Sequence, residues 1–111
     1  MISHVVLFRP RATLASTERE QLIAALRHAV EGIPEIKRVT IGKRLLLNRP
    51  GYEALMAEHF EYAAVLEFAS EADLLAYLDH PAHVELGQRL FTSAEAVLAY
   101  DFSETTLDEL R

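Results

Sequence analysis

Residues Tyr77–Leu90, YLDHPAHVELGQRL, set two histidines three apart around a proline, behind a tyrosine and ahead of an apolar helical pattern. Three readings are open for it: a catalytic pair, a metal site, or a helix start that uses histidine. Pro81 decides the local fold. Proline lacks the N–H that an interior helical position must donate, but at the first helical position that N–H has no partner to lose. A new helix therefore starts at Pro81, and its pattern carries Val84, Leu86, Leu90 and Phe91. The residue ahead of a proline is pushed out of helical geometry. His80 is thus a turn former near the N-cap, and His83 falls in the first turn.

Working outward, Ser70 caps a preceding helix over EADLLAYLDH, with Asp73 in the capping-box position. YAAVLEFAS before it and AVLAYDFS after it are strands. In the latter, Val97, Ala99 and Asp101 alternate with Leu98, Tyr100 and Phe102. The N-terminal ISHVVLFRP is β-branched and apolar in both of its alternate sets, which makes it a central strand covered on both faces. ASTEREQLIAALRHAVEGI is a helix opened by Thr17 and Glu20, with Leu22, Leu26, Ala29, Val30 and Ile33 on one face. Gly32 and Pro34 end it, and His28 near its C-terminus is expected in solvent. KRVTIGKRLLL reads as a further strand, bulged at Gly42. NRPGYEALMAEHFE, residues 48–61, is a long connection without a steady period, and a loop of that length usually serves a site or a partner.

The order is β-α-β-β-α-β with the second helical segment broken in two. That is an α+β, ferredoxin-like arrangement, a four-stranded antiparallel sheet with helices on one face. Residues 1–103 form the domain, and 104–111 are a polar tail. The other sheet face, with Val5, Leu7, Val65 and either Leu98 or Val97, is too apolar for water. A homodimer packed sheet on sheet is expected.

Composition narrows the function classes. The chain has 111 residues, 50% of them hydrophobic, and a formal charge of −6. That suits one globular core and argues against nucleic acid, which needs a clustered basic surface. Without cysteine there is no disulfide, thiolate metal site or cysteine nucleophile. The short apolar N-terminus reads as a strand, not a signal peptide, and no apolar run approaches the roughly 18 residues of a membrane span. A cytoplasmic location is expected. No P-loop, GxGxxG, GxSxG or HExxH occurs.

For His83, the positive end of the helix dipole disfavours an imidazolium, and an apolar cavity would push the same way. A neutral imidazole is the form a general base needs. The competing reading is a half-buried histidine bonded to backbone that fixes the angle between two helices. His80 and His83 make a poor metal pair, because Pro81 takes His80 out of the helix and only Asp79 is near as a third ligand. No side-chain metal site and no cofactor are expected. Tyr77 is either core or a catalytic partner. His59, in the long loop, is solvated or at a partner surface.

The segments ISHVVLFRPR, EGIPEIKRVTIGK, YAAVLEFAS and YLDHPAHVELGQRL resemble the stress-responsive dimeric α/β-barrel (Dabb) family, in a match running from Ile2 to Ser103. The resemblance implies a ferredoxin-like protomer, a dimer whose sheets close into one barrel, and a small apolar cavity between sheet and helices. One plant member is a polyketide cyclase that closes a ring by aldol chemistry. By that match His83 is the base, Tyr77 its partner, and His4 helps to line the pocket. A further pocket histidine of the cyclase is replaced by Tyr62 here. The implied pocket is lined by His4, Phe8, Tyr62, Leu66, Tyr77 and His83. The resemblance also implies that main-chain carbonyls of Val30, Ile33 and Ile36 can hold a cation. Two rivals stand beside proton abstraction: a non-enzymatic stress or accessory protein whose dimer is the function, and a cofactor-free monooxygenase, by analogy of fold.

Overall fold

Strand β1 (Ile2–Pro10) runs up the middle of the sheet in a computed structural model that describes residues 1–111. It pairs antiparallel with β3 (Tyr62–Phe68) on one side and β4 (Ala94–Ser103) on the other. The edge strand β2 (Arg38–Lys43) pairs with β3, giving the order β2-β3-β1-β4. Helix α1 (Ser16–Gly32) connects β1 to β2, while α2 (Glu71–Asp79) and α3 (Pro81–Ser93) connect β3 to β4. The fold is the expected α+β ferredoxin-like one.

Register assigns the faces. His4 opposes Leu66 and Asp101, Val6 opposes Ala64 and Ala99, and Phe8 opposes Tyr62 and Val97. Directly opposed residues share a face, so this set lies under the helices. Val5, Leu7, Val65, Leu98 and Tyr100 lie on the other face, which no helix covers and which the long loop borders at its Leu7 end. Of the two residues expected there as alternatives, Leu98 is the one, because it opposes Leu7 while Val97 opposes Phe8.

The core sits between the sheet and the helices. Phe68 is 0% exposed and Tyr77 2%, with Ala25, Ala29, Ile33, Leu66, Leu74 and Ala82 packed around them. Fully burying a side chain such as Phe68 contributes about 1.5–3 kcal/mol. Helix α1 packs chiefly on α3 and shares one buried cluster with Leu66 and Phe68 of β3. Its inward residues Ala25 and Ala29 are small, and so is Ala64 on β3. Space is left between them.

Several local expectations are corrected. The N-cap of α1 is Ala15, not Thr17, and Glu18, not Glu20, turns back to accept from the Ala15 N–H at 3.4 Å. Arg11 holds the same carboxylate at 2.7 Å, an anchor outside the helix that local spacing does not reveal. Strand β2 ends at Lys43, where its partner β3 begins, so Leu45, Leu46 and Leu47 are exposed loop. The β2–β3 register runs unbroken past Gly42, and the sheet's irregularity is at Arg9/Pro10 instead. In α3, Ala82 and Leu86 are buried, whereas Val84 and Phe91 are exposed. The C-terminal residues contain a 3-10 turn, Leu107–Leu110, with both leucines exposed.

The α2–α3 junction forms as the sequence requires. Ser70 Oγ accepts from the Asp73 N–H at 3.2 Å, and His80 Nδ1 accepts from the Ala82 N–H at 3.0 Å. The long loop carries Gly51 at φ 78°, a left-handed turn position that suits glycine. Arg9 ties the loop down. Its guanidinium donates to Glu58, to the His59 carbonyl and to Glu95, and it lies 5.5 Å over the Phe60 ring.

Candidate functional site

Tyr77, near the end of α2, is brought against two histidines from distant parts of the chain. Its ring centroid lies 4.5 Å from that of His83 in the first turn of α3, and 5.5 Å from that of His4 on β1. The His4 contact is edge-on, and Phe68 closes the third side at 5.1 Å. His80 has no part in this cluster, because its ring caps α3.

Hydrogen bonding fixes what each imidazole can do. His83 Nδ1 lies 3.0 Å from the Leu78 carbonyl oxygen, which can only accept, so Nδ1 carries the hydrogen and donates. In the neutral ring the free lone pair is then on Nε2. Burial lowers the pKa of His83, and the nearby His4 adds to the effect; the Leu78 hydrogen bond pulls the other way without reversing it. His83 is therefore held neutral at physiological pH, with its Nε2 lone pair free. His4 Nδ1 lies 2.5 Å from Asp101 Oδ1, a carboxylate that orients the ring. Burial, with the Asp101 charge behind it, pushes the Tyr77 hydroxyl up to about 12. It remains protonated, a hydrogen-bond donor and not a base.

An apolar cavity of about 320 Å³ opens beside this cluster, between the sheet and α1. Its wall includes Phe8, Tyr62, Leu66 and Tyr77, four of the six residues expected there. His4 and His83 are not on the wall. Both pack on the Tyr77 ring, and each turns a ring nitrogen toward a fixed acceptor, so Tyr77 presents the cluster to the cavity. Leu86 and Leu90 of α3 and Leu22, Ile23 and Leu26 of α1 complete much of the remainder.

Asp101 is the residue that the sequence reading passed over. Its place opposite His4 depends on the β1–β4 register across 97 positions, and a lone aspartate in an alternating strand gives no sign of it. His28 is exposed, 3.8 Å from Glu85. His59 is exposed too, its Nδ1 accepting from Arg44 at 2.6 Å. No three His, Asp or Glu side chains converge as a metal-binding group, and no helix is long and apolar enough to cross a membrane.

Comparison with known proteins bears on family and fold. A model of the stress-responsive A/B barrel domain family (Dabb) matches residues 2–104. A dimeric ferredoxin-like protein of unknown function from Thermobifida fusca is 29% identical, with 93% of this chain and 90% of that one covered at a TM-score of 0.71. A hydroxynitrile lyase from Passiflora edulis is 25% identical, covering 95% of each chain at a TM-score of 0.76. A cofactor-independent oxygenase from Streptomyces nogalater shares the fold at 16% identity, with coverage of 96% and 95% and a TM-score of 0.66. No curated protein matches the chain by sequence.

Proposed function

The chain belongs to the stress-responsive A/B barrel domain family, and from that premise we propose that it is a homodimer that takes a small apolar or aromatic carbonyl compound into the helix-side cavity. His83 is the base and Tyr77 the hydrogen-bond donor. In the proposed step, a shift of the Tyr77 ring opens the inner wall to His83, which packs behind it, and His83 Nε2 takes a proton from the carbon beside the carbonyl. The C–H electron pair moves toward the carbonyl oxygen, and the Tyr77 hydroxyl donates a hydrogen bond to the enolate oxygen that forms. Asp101 positions His4 against the other side of Tyr77.

One observation carries this reading: an apolar cavity whose wall bears a protonated tyrosine in ring contact with a histidine kept neutral by burial. At about 320 Å³ the cavity is at the lower end of the roughly 300–1,000 Å³ typical of small-ligand sites. The lyase neighbour supports catalysis on this fold. The dimer is supported by the uncovered sheet face and by the dimeric Thermobifida relative.

The test is hydrogen exchange. With acetophenone in deuterated buffer, wild type is expected to exchange the methyl hydrogens faster than buffer alone, as followed by proton NMR. His83→Ala abolishes the gain while keeping the fold. Unchanged exchange in His83→Ala would remove the base. A binding-only function is the second reading, supported by the position of both histidines behind the cavity wall; on that reading ligands bind and no variant changes the exchange.

A further inference from the structure

The cavity has a direction. Of its buried wall residues, Phe8, Leu14, Leu66, Tyr77 and Leu86, Tyr77 is the one in contact with the histidine cluster and marks an inner end. Its exposed wall residues, Arg19 and Ile23 on α1 and Ile41 on β2, mark a mouth between the helix and the edge strand. Fourteen of the fifteen residues on the wall are hydrophobic, and the exception is Arg19.

That arginine also lacks a partner. Arg9, Arg11, Arg38 and Arg111 all form ion pairs, Arg44 contacts His59 and Arg89 contacts Gln21; the Arg19 side chain, like those of Arg27 and Arg49, makes neither a hydrogen bond nor a salt bridge in the chain, and of these three only Arg19 lies on the cavity wall. The adjacent acid Glu18 is already engaged by Arg11 and by the helix cap. A guanidinium is always charged and presents a planar fork that matches a carboxylate. At the rim of an otherwise apolar chamber it complements one kind of molecule, with an apolar body and an anionic end.

We infer that the cavity's ligands are amphipathic carboxylates of medium chain or arylalkyl type, bound with the apolar body inward and the carboxylate at the mouth on Arg19. The inference rests on the proposed cavity-binding function and deepens it. Arg19 is then the specificity-determining residue. The reacting end of the ligand lies opposite its charge, at Tyr77, so the base and the anion are kept apart.

Decanoate and decanamide, which share one chain and differ in charge, test this by calorimetric titration of the full-length protein. In wild type decanoate binds about tenfold more tightly, the discrimination expected of one charge-assisted contact. In Arg19→Gln the two bind equally, through weaker decanoate binding with decanamide unchanged. Ala64→Phe, which fills the chamber, abolishes both. Equal binding of the two probes to wild type overturns the role of Arg19 and leaves the cavity reading intact. A decanoate preference that survives Arg19→Gln has the same consequence. If neither probe binds wild type, the cavity-binding function itself fails, and this inference with it.

Discussion

The two faces of the sheet are built from the same strands and do opposite things. On β1, His4 and Phe8 lie under the helices, while the intervening Val5 and Leu7 face outward. Along β3, Leu66 and Phe68 are buried and Val65 points away. Both faces are apolar, yet Phe68 is 0% exposed whereas Tyr100 and Phe102 are each 57% exposed. Apolar content therefore does not define the core here; the parity of the strand register does. On the covered side, small residues on α1 and β3 leave a chamber. On the uncovered side, large side chains project, the form of a surface that another apolar surface completes.

The largest test of that contrast is Phe68→Ala. It should cost about 3–5 kcal/mol in urea denaturation, whatever the protein concentration, because the cavity it leaves is internal. A loss under about 1 kcal/mol would mean that the helix-side layer is not the core. On the opposite face, Val65→Arg should leave the protomer folded but cost association about 3 kcal/mol or more, since the charge would be buried without a partner. Light scattering at micromolar concentration should then read a monomer where wild type reads a dimer. A Val65→Arg dimer would place the partner surface elsewhere. Tyr77→Phe should change stability by less than about 0.5 kcal/mol, as the hydroxyl makes no hydrogen bond within the chain. The same substitution should slow the proposed proton exchange on acetophenone at least about tenfold, and an unchanged rate would leave Tyr77 as core alone.

Much of this was legible in the sequence because the signals were local. Pro81 fixes a helix start by its own covalent structure, and Ser70 caps α2 through a bond three residues away. The doubly apolar β1 announced a central strand. What stayed hidden depends on contacts between distant segments. Glu18 displaces the Thr17–Glu20 cap because Arg11 reaches it from outside the helix. Strand β2 stops where β3 offers no further partner, although its own sequence continues apolar through Leu47. The Asp101–His4 contact needs the register of β1 with β4. Most telling, the cluster's chemistry was readable from Tyr77 and His83, but their arrangement was not: only packing sets Tyr77 on the cavity wall and the two histidines behind it.

The smallest expected effect addresses that arrangement most directly. Burial first, and the neighbouring His4 second, hold the His83 pKa below the ordinary histidine value, against the upward pull of the Leu78 carbonyl. Unfolded, the residue titrates at about 6.5. In the window between the two values the unfolded chain binds more protons than the folded one, so stability rises with pH there and is lost as pH falls. Above the unfolded value both states hold the neutral ring, and His83 contributes no slope. His83→Gln keeps a polar side chain and removes this titration. Urea midpoints measured from about pH 8 down to pH 5 should therefore run parallel for wild type and variant on the alkaline side. Below the unfolded value, wild type should lose stability faster than the variant. His4, in contact with the same tyrosine and with Asp101, is present in both proteins. The opposite sign, a wild type that resists acid better than His83→Gln, would mean that the fold prefers the imidazolium. A histidine charged in the folded state has no lone pair to offer, and the proton-abstraction reading would fall with it.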